Sequence, residues 1–183
     1  IGLGAKHMLK VGLEKAGNRD PDTLAEYLPK LLAFYGDHLG SGSPPFPGLA
    51  AVMDRFDAMG VRMAVVTNKY ERFARQLLAK IGLAERFACI IGGDTMGKGK
   101  AKPHRAPIDE MIRRCGGDTG RANAAFIGDS IYDVMAAHGA GIPCVAVRFG
   151  FLHQPVEELG ADAIIDHYDD FIPTLERLAA ASD

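Results

Sequence analysis

Ala124-Ala-Phe-Ile-Gly-Asp-Ser-Ile-Tyr-Asp-Val134 runs four apolar residues into Gly128-Asp129-Ser130 and sets a second acid at Asp133. The apolar run reads as a buried strand, and the residues after it read as a helix start. A strand that hands over to a helix in this way is the unit of an α/β fold. Two readings of the acids compete. Asp129 or Ser130 could cap the helix by accepting from its free backbone N–H groups, with Asp133 an ordinary exposed acid in the first turn. In the other reading Asp129 holds a metal ion. On this segment alone both readings stand.

Outward from this stretch the same handover recurs. Apolar runs at 63–66, 87–91, 144–147 and 163–165 join 124–127 as strand candidates. Helical candidates lie between them at roughly 49–59, 70–81, 105–115, 130–139 and 168–181. Continuous apolar strands alternating with helices predict an α/β, Rossmann-like parallel sheet covered on both faces. The first forty residues differ. Met8, Leu9 and Leu13, then Leu24, Tyr27, Leu28, Leu31, Leu32 and Tyr35, recur at three- and four-residue spacing, which predicts amphipathic helices. Asp20-Pro21 marks a helix start. Gly40-Ser-Gly-Ser-Pro-Pro-Phe-Pro-Gly48 reads as a connecting loop. The expected division is therefore a small helical unit over 1–42 and an α/β core over 43–183.

Composition narrows the classes. With 48% hydrophobic residues in 183, the chain can bury a core, yet no stretch approaches the length of a membrane span. A net charge of −2 offers no basic field for nucleic acid. The six histidines form no His-x-x-x-His or Cys/His cluster, which argues against zinc. Cys89, Cys115 and Cys144 are far apart in sequence and odd in number, and Cys89 and Cys144 sit in apolar, strand-like stretches, so the expectation is reduced, buried thiols in a cytoplasmic protein.

Parallel sheets bind ligands beyond the carboxyl ends of their strands. Those ends carry Thr67-Asn68-Lys69, Gly92-Gly93-Asp94-Thr95, Gly128-Asp129-Ser130 and Arg148-Phe149-Gly150. Thr67 and Asn68 could be helix caps, but a hydroxyl beside free backbone N–H groups also makes an anion site. Gly92 to Lys98 has the spacing of a P-loop. Gly99 stands where the Mg²⁺-binding hydroxyl belongs, however, and Gly97, Gly99 and Pro103 oppose the helix, so the match reads as coincidence. Lys102 precedes Pro103 and is held out of the helix that follows, free to point across the strand ends. The bland alternative is a solvated loop lysine. Together, a hydroxyl, a lysine and a Gly-Asp would surround a phosphate and its metal. Asp133, one helical turn along, could then pair with Lys102.

At this point the chain resembles the haloacid dehalogenase superfamily, nearest its phosphoglycolate phosphatase-like branch. The resemblance rests on Ala64-Val-Val-Thr-Asn-Lys69, Lys102-Pro-His-Arg-Ala-Pro107 and Phe126-Ile-Gly-Asp-Ser-Ile-Tyr-Asp133. Pro47-Gly48, Ala140-Gly-Ile-Pro143 and Phe149-Gly-Phe151 add weaker support. It implies Mg²⁺-dependent hydrolysis of a small phosphorylated metabolite through a phospho-aspartate. Thr67, helped by the backbone of Asn68, would bind the transferring phosphoryl group, and Lys102 would neutralise nucleophile and phosphate. Asp129 would be the Mg²⁺ ligand and Asp133 its supporting acid. Residues 1 to about 40 would form most of a helical cap, with Gly2, Gly4 and Lys6 near its substrate-facing loop.

The family's nucleophile belongs to an Asp-x-Asp-Gly-Thr motif on a first strand upstream of the cap, and none of these 183 residues forms one. The expectation is that this strand, the nucleophile and the acid/base aspartate lie outside the chain. Alternatives are a sugar phosphomutase or a phosphonate hydrolase using a cap lysine among Lys6, Lys10, Lys15 and Lys30. A third is a non-catalytic phosphate- or Mg²⁺-binding module. Either a monomer or a homodimer fits.

Overall fold

The computed structural model describes residues 2–40, 42, 44–117 and 124–181. Ile1, and Ser41 and Ser43 of the expected connecting loop, lie outside the described residues. The chain opens with a helical hairpin, α1 (Ala5–Lys15) and α2 (Pro21–Asp37). Asp20 starts α2 by accepting from the backbone N–H groups of Asp22 and Thr23 at 3.1 and 3.2 Å. Pro21 follows at a position where no backbone donor is needed. The two helices pack on one another, yet neither buries a residue fully.

Strands and helices then alternate: α3 (Leu49–Ala58), β1 (Ala64–Val66), α4 (Glu71–Lys80), β2 (Cys89–Ile91) and α5 (Ala106–Arg114). After them come β3 (Phe126–Gly128), α6 (Ile131–Gly139), β4 (Cys144–Val147), β5 (Ala163–Ile165) and α7 (Phe171–Ala180). Three boundaries differ from the sequence reading by two residues or more. The strand expected over 124–127 starts at Phe126, because its partner segment begins only at Pro143, whose carbonyl accepts from the Phe126 N–H at 2.8 Å. The run 87–91 is shortened by a 3₁₀ turn over Ala84–Arg86. Another 3₁₀ turn, Tyr168–Asp170, precedes α7.

All observed pairings are parallel: β1 with β2, and β3 with β4 with β5. Among the described residues these ladders are separate, two-stranded and three-stranded, where one continuous sheet is the sequence expectation. The two ladders nevertheless share a core. Val66 and Ile91 of one cluster with Phe126, Cys144 and Ala146 of the other, over Ile108 and Ala137. On the opposite face Val145, Val147 and Ile165 pack with Val52, Phe56 and Phe171. Successive residues of β4 thus enter opposite clusters, as the two-residue strand period requires. Each such fully buried Val or Ile stabilises the fold by about 1.5–3 kcal/mol. This burial fixes the height at which the strands end, and so where the polar residues beyond them meet. No helix among the described residues is long and apolar enough to cross a membrane.

Candidate functional site

Lys102 and Asp133 meet where β1 and β3 end. Both are buried, at 8% and 6% exposure. The Lys102 Nζ donates to Asp133 Oδ1 at 2.6 Å and to the Val66 carbonyl at 2.7 Å, and lies 5.0 Å from the Phe126 ring centroid. Asp133 Oδ2 accepts from Ser130 Oγ, Ser130 N and Asp129 N at 2.6, 3.0 and 3.2 Å. Buried charges persist where they are paired and hydrogen-bonded, and every ionic atom here has a partner. The Lys102–Pro103 peptide is cis.

The capping reading of the opening stretch holds in part. Ser130 is the N-cap of α6, but Asp133 is not the exposed acid of the capping reading. Asp129 is not a cap either. Its Oδ2 accepts from the Phe151 N–H at 2.8 Å, so the loop after β4 folds down onto it. Gly150 permits that approach, since a Cβ there would lie 2.3 Å from the Asp129 Cβ. Gly128 is confined in the same way, 2.4 Å from the Asp133 Cβ. Burial, and then the negative charge of Asp129, push the Tyr168 hydroxyl above its ordinary range.

Thr67 extends the β1–β2 ladder, its N–H donating to the Ile91 carbonyl at 2.9 Å. Its Oγ1 accepts from the Lys69 N–H at 3.2 Å, which uses a lone pair and not the hydroxyl hydrogen. Asn68 ties three segments together. Its Nδ2 donates to the carbonyls of Gly2 and Lys102 at 2.6 and 2.9 Å, while its buried Oδ1 has no hydrogen-bond partner. Neither residue caps α4. Asp94 does so from the next strand end, accepting from the Glu71 N–H at 2.8 Å. Thr95 Oγ1 accepts from the Gly92 N–H and donates to Glu71 Oε2, closing the turn. The P-loop-like segment is therefore a turn against α4, and the next helix waits until Ala106.

Of the three candidates near the amino end, two reach the site. The Gly2 carbonyl holds Asn68, and Gly4 opens α1 at φ 83°, where a Cβ would sit 2.8 Å from the Asn68 carbonyl. Lys6 is exposed and does not line the cleft beside Asp129. That cleft, about 190 Å³, is bordered by Leu3, His7, Asp129, Ser130, Tyr132 and His153 among others. His7 and His153 escape sequence reasoning because each is an isolated histidine with no motif around it.

One further contact joins hairpin and core. Lys69 Nζ donates to the Tyr35 hydroxyl and lies 4.5 Å from the ring centroid. Among the described residues no group of three or more His, Cys, Asp and Glu side chains could hold a metal ion. Asp129 offers one carboxylate, whereas both oxygens of Asp133 are already engaged.

The family described as haloacid dehalogenase-like hydrolase matches residues 7–147. The phosphoglycolate phosphatase of Mesorhizobium japonicum is 40% identical over 152 residues, which cover 82% of this chain and 65% of that protein. The phosphoglycolate phosphatase of Agrobacterium fabrum is 34% identical over 182 residues, 98% of this chain and 76% of the relative. The present chain thus spans about two thirds to three quarters of their lengths. A crystal structure described as a predicted phosphoglycolate phosphatase from Haemophilus somnus superposes with a TM-score of 0.82 at 27% identity. It covers 95% of this chain and 78% of that one. A haloacid dehalogenase-like protein of unknown function from Agrobacterium tumefaciens, at 18% identity and a TM-score of 0.74, shares the fold.

Proposed function

The chain belongs to the haloacid dehalogenase-like hydrolase family, and on that premise we propose that it forms the larger part of a Mg²⁺-dependent phosphatase. Its substrate is a small phosphate monoester, phosphoglycolate or a close analogue. The observation that carries this reading is the buried Lys102–Asp133 pair, set between Thr67 at one strand end and Asp129 at another.

In this reading the Lys102 ammonium, held by Asp133 and the Val66 carbonyl, presents fixed positive charge to an incoming phosphoryl group. The Thr67 hydroxyl and the Asn68 backbone N–H donate to its oxygens. Donors fixed beforehand need no reorganisation as charge develops, which is the main source of transition-state stabilisation at such sites. Asp129 would hold a hard cation through its carboxylate oxygen. Once bound, Mg²⁺ neutralises charge on the phosphoryl oxygens.

The nucleophile is an aspartate on a strand outside these 183 residues. It forms a phospho-aspartate that a water molecule then hydrolyses. Support for an intervening strand comes from the separate β1–β2 and β3–β4–β5 ladders, bridged at the seam by Lys102. The α1–α2 hairpin acts as part of a cap, its Gly2–Gly4 segment docked against Asn68 and Tyr132.

The test uses the full-length gene product and follows phosphate release from phosphoglycolate with and without Mg²⁺. Lys102→Ala and Asp129→Ala each lower kcat by roughly 10²–10³. Unchanged release from either variant overturns the assignment.

A further inference from the structure

At the opposite end of β2 from Lys102, a second chemical feature lies outside the site. We propose that Cys89 and Cys115 form a reversible disulfide that staples the start of β2 to the end of α5. Their Sγ atoms are 4.0 Å apart although the residues are 26 positions apart in sequence. The apolar run around Cys89 predicts a buried thiol, but both it and Cys115 are partly exposed. Cys144 is the contrast. It is fully buried, and burial with the nearby Asp133 and Asp162 charges pushes its thiol up to about 12.

Cys89 is open to a cleft of about 390 Å³, bordered also by Arg75, Phe87, Ala88 and Arg114. It is large enough to admit a small disulfide-bearing molecule. Cys89 borders the cleft, so the external disulfide is met there. Burial and the neighbouring Cys115 push its thiol up to about 11, so exchange needs alkaline conditions. The Cys89 thiolate attacks one sulfur of the external disulfide and expels one thiolate. Cys115 then releases its proton to water and attacks the Cys89 Sγ, expelling the second. Two protein thiols are oxidised and one external disulfide is reduced to two thiols.

The closed loop has a structural meaning. Between the two cysteines the chain runs through β2, the turn that caps α4, Lys102 and α5. A bond at its base ties together both stems of the segment that presents Lys102, and restrains the same segment in the unfolded chain.

The experiment treats the intact gene product with oxidised glutathione at mildly alkaline pH, then applies peptide mapping and thermal unfolding. The expected result is a Cys89–Cys115 cross-linked peptide, reversed by dithiothreitol, and a Tm higher by roughly 5–10 °C. Cys89→Ser and Cys115→Ser should each give no such peptide and no Tm rise. Two separate glutathione adducts on the pair, or no modification of either cysteine in the folded protein, overturns the proposal. None of these readouts depends on phosphatase activity, so the two readings fail independently.

Discussion

At Lys102 and Asp133 two charges leave water together, and the consequence is asymmetric. Removing one strands the other in a buried position, which typically costs about 3–5 kcal/mol, whereas removing both can cost much less. Lys102→Met and Asp133→Asn are each expected to lose that much in urea unfolding, and the double variant to lose clearly less than the sum. Additive losses would mean that the 2.6 Å contact carries no coupling. Gly150 makes a different kind of demand. Its φ is unremarkable, but a methyl group there would meet the Asp129 Cβ at 2.3 Å. Gly150→Ala should cost about 1–3 kcal/mol by overpacking. In the proposed enzyme it should also raise the Mg²⁺ concentration needed for half-maximal activity, because Asp129 must move. An unaltered Mg²⁺ requirement would detach Gly150 from the metal site. Lys102, Asp129 and Asp133 were readable in sequence because each sits at a fixed offset from an apolar strand or a proline. His7, His153 and the Cys89–Cys115 pair were not, since only the fold brings them to a cleft or to each other.

Elements differ in how local their causes are. Helix α2 was legible because Asp20 and Pro21 lie next to it, and β4 because four apolar residues form a strand buried on both faces. Helix α4 was not fully legible, since its cap, Asp94, is contributed from beyond the next strand. Likewise β3 begins two residues later than its apolar run, for a reason that resides in Pro143. Asp94→Ala is expected to cost about 1 kcal/mol, the usual worth of an N-cap. A stability equal to the parent's would show that water replaces the cap at no cost.

A second junction joins α6, β4 and the approach to β5. Asp162 Oδ2 accepts from the Cys144 N–H and from His138 Nε2, both at 2.8 Å. Partial burial works to raise the Asp162 pKa, but the Cys144 N–H and His138 outweigh it, so the net shift is downward. A depressed carboxyl stabilises the fold above its unfolded pKa and loses that contribution as pH falls through its folded value. Asp162→Asn should therefore unfold more easily than the parent at pH 7. The difference should begin to narrow as pH falls to the ordinary carboxyl range, about 4, and close only below the lower value the folded protein imposes. A gap independent of pH would assign the effect to packing.

For the molecule as a whole, the two helical layers and the hairpin are held by unequal means. The strands are closed between two apolar clusters, with Ile91, Ile108, Cys144 and Val145 completely buried. The α1–α2 hairpin buries no residue fully and leaves Met8, Tyr27 and Phe34 substantially exposed. Among the described residues its contacts with the core include Gly2 with Asn68 and Tyr132, Tyr35 with Lys69 and Phe73, and the Leu39 carbonyl with Lys80. Opening a unit costs free energy in proportion to the buried surface and hydrogen bonds it gives up, so the hairpin should open below the global unfolding free energy. Hydrogen exchange by mass spectrometry is expected to show α1 and α2 losing protection while β4 and α6 retain theirs. Tyr35→Ala, which removes both the Lys69 hydrogen bond and the edge contact with Phe73, should speed exchange in α2 and leave β4 unchanged. Equal protection in hairpin and core would mean that the molecule opens only as one cooperative unit. A cap that closes over Asp129 independently of the sheet would then lose its physical basis.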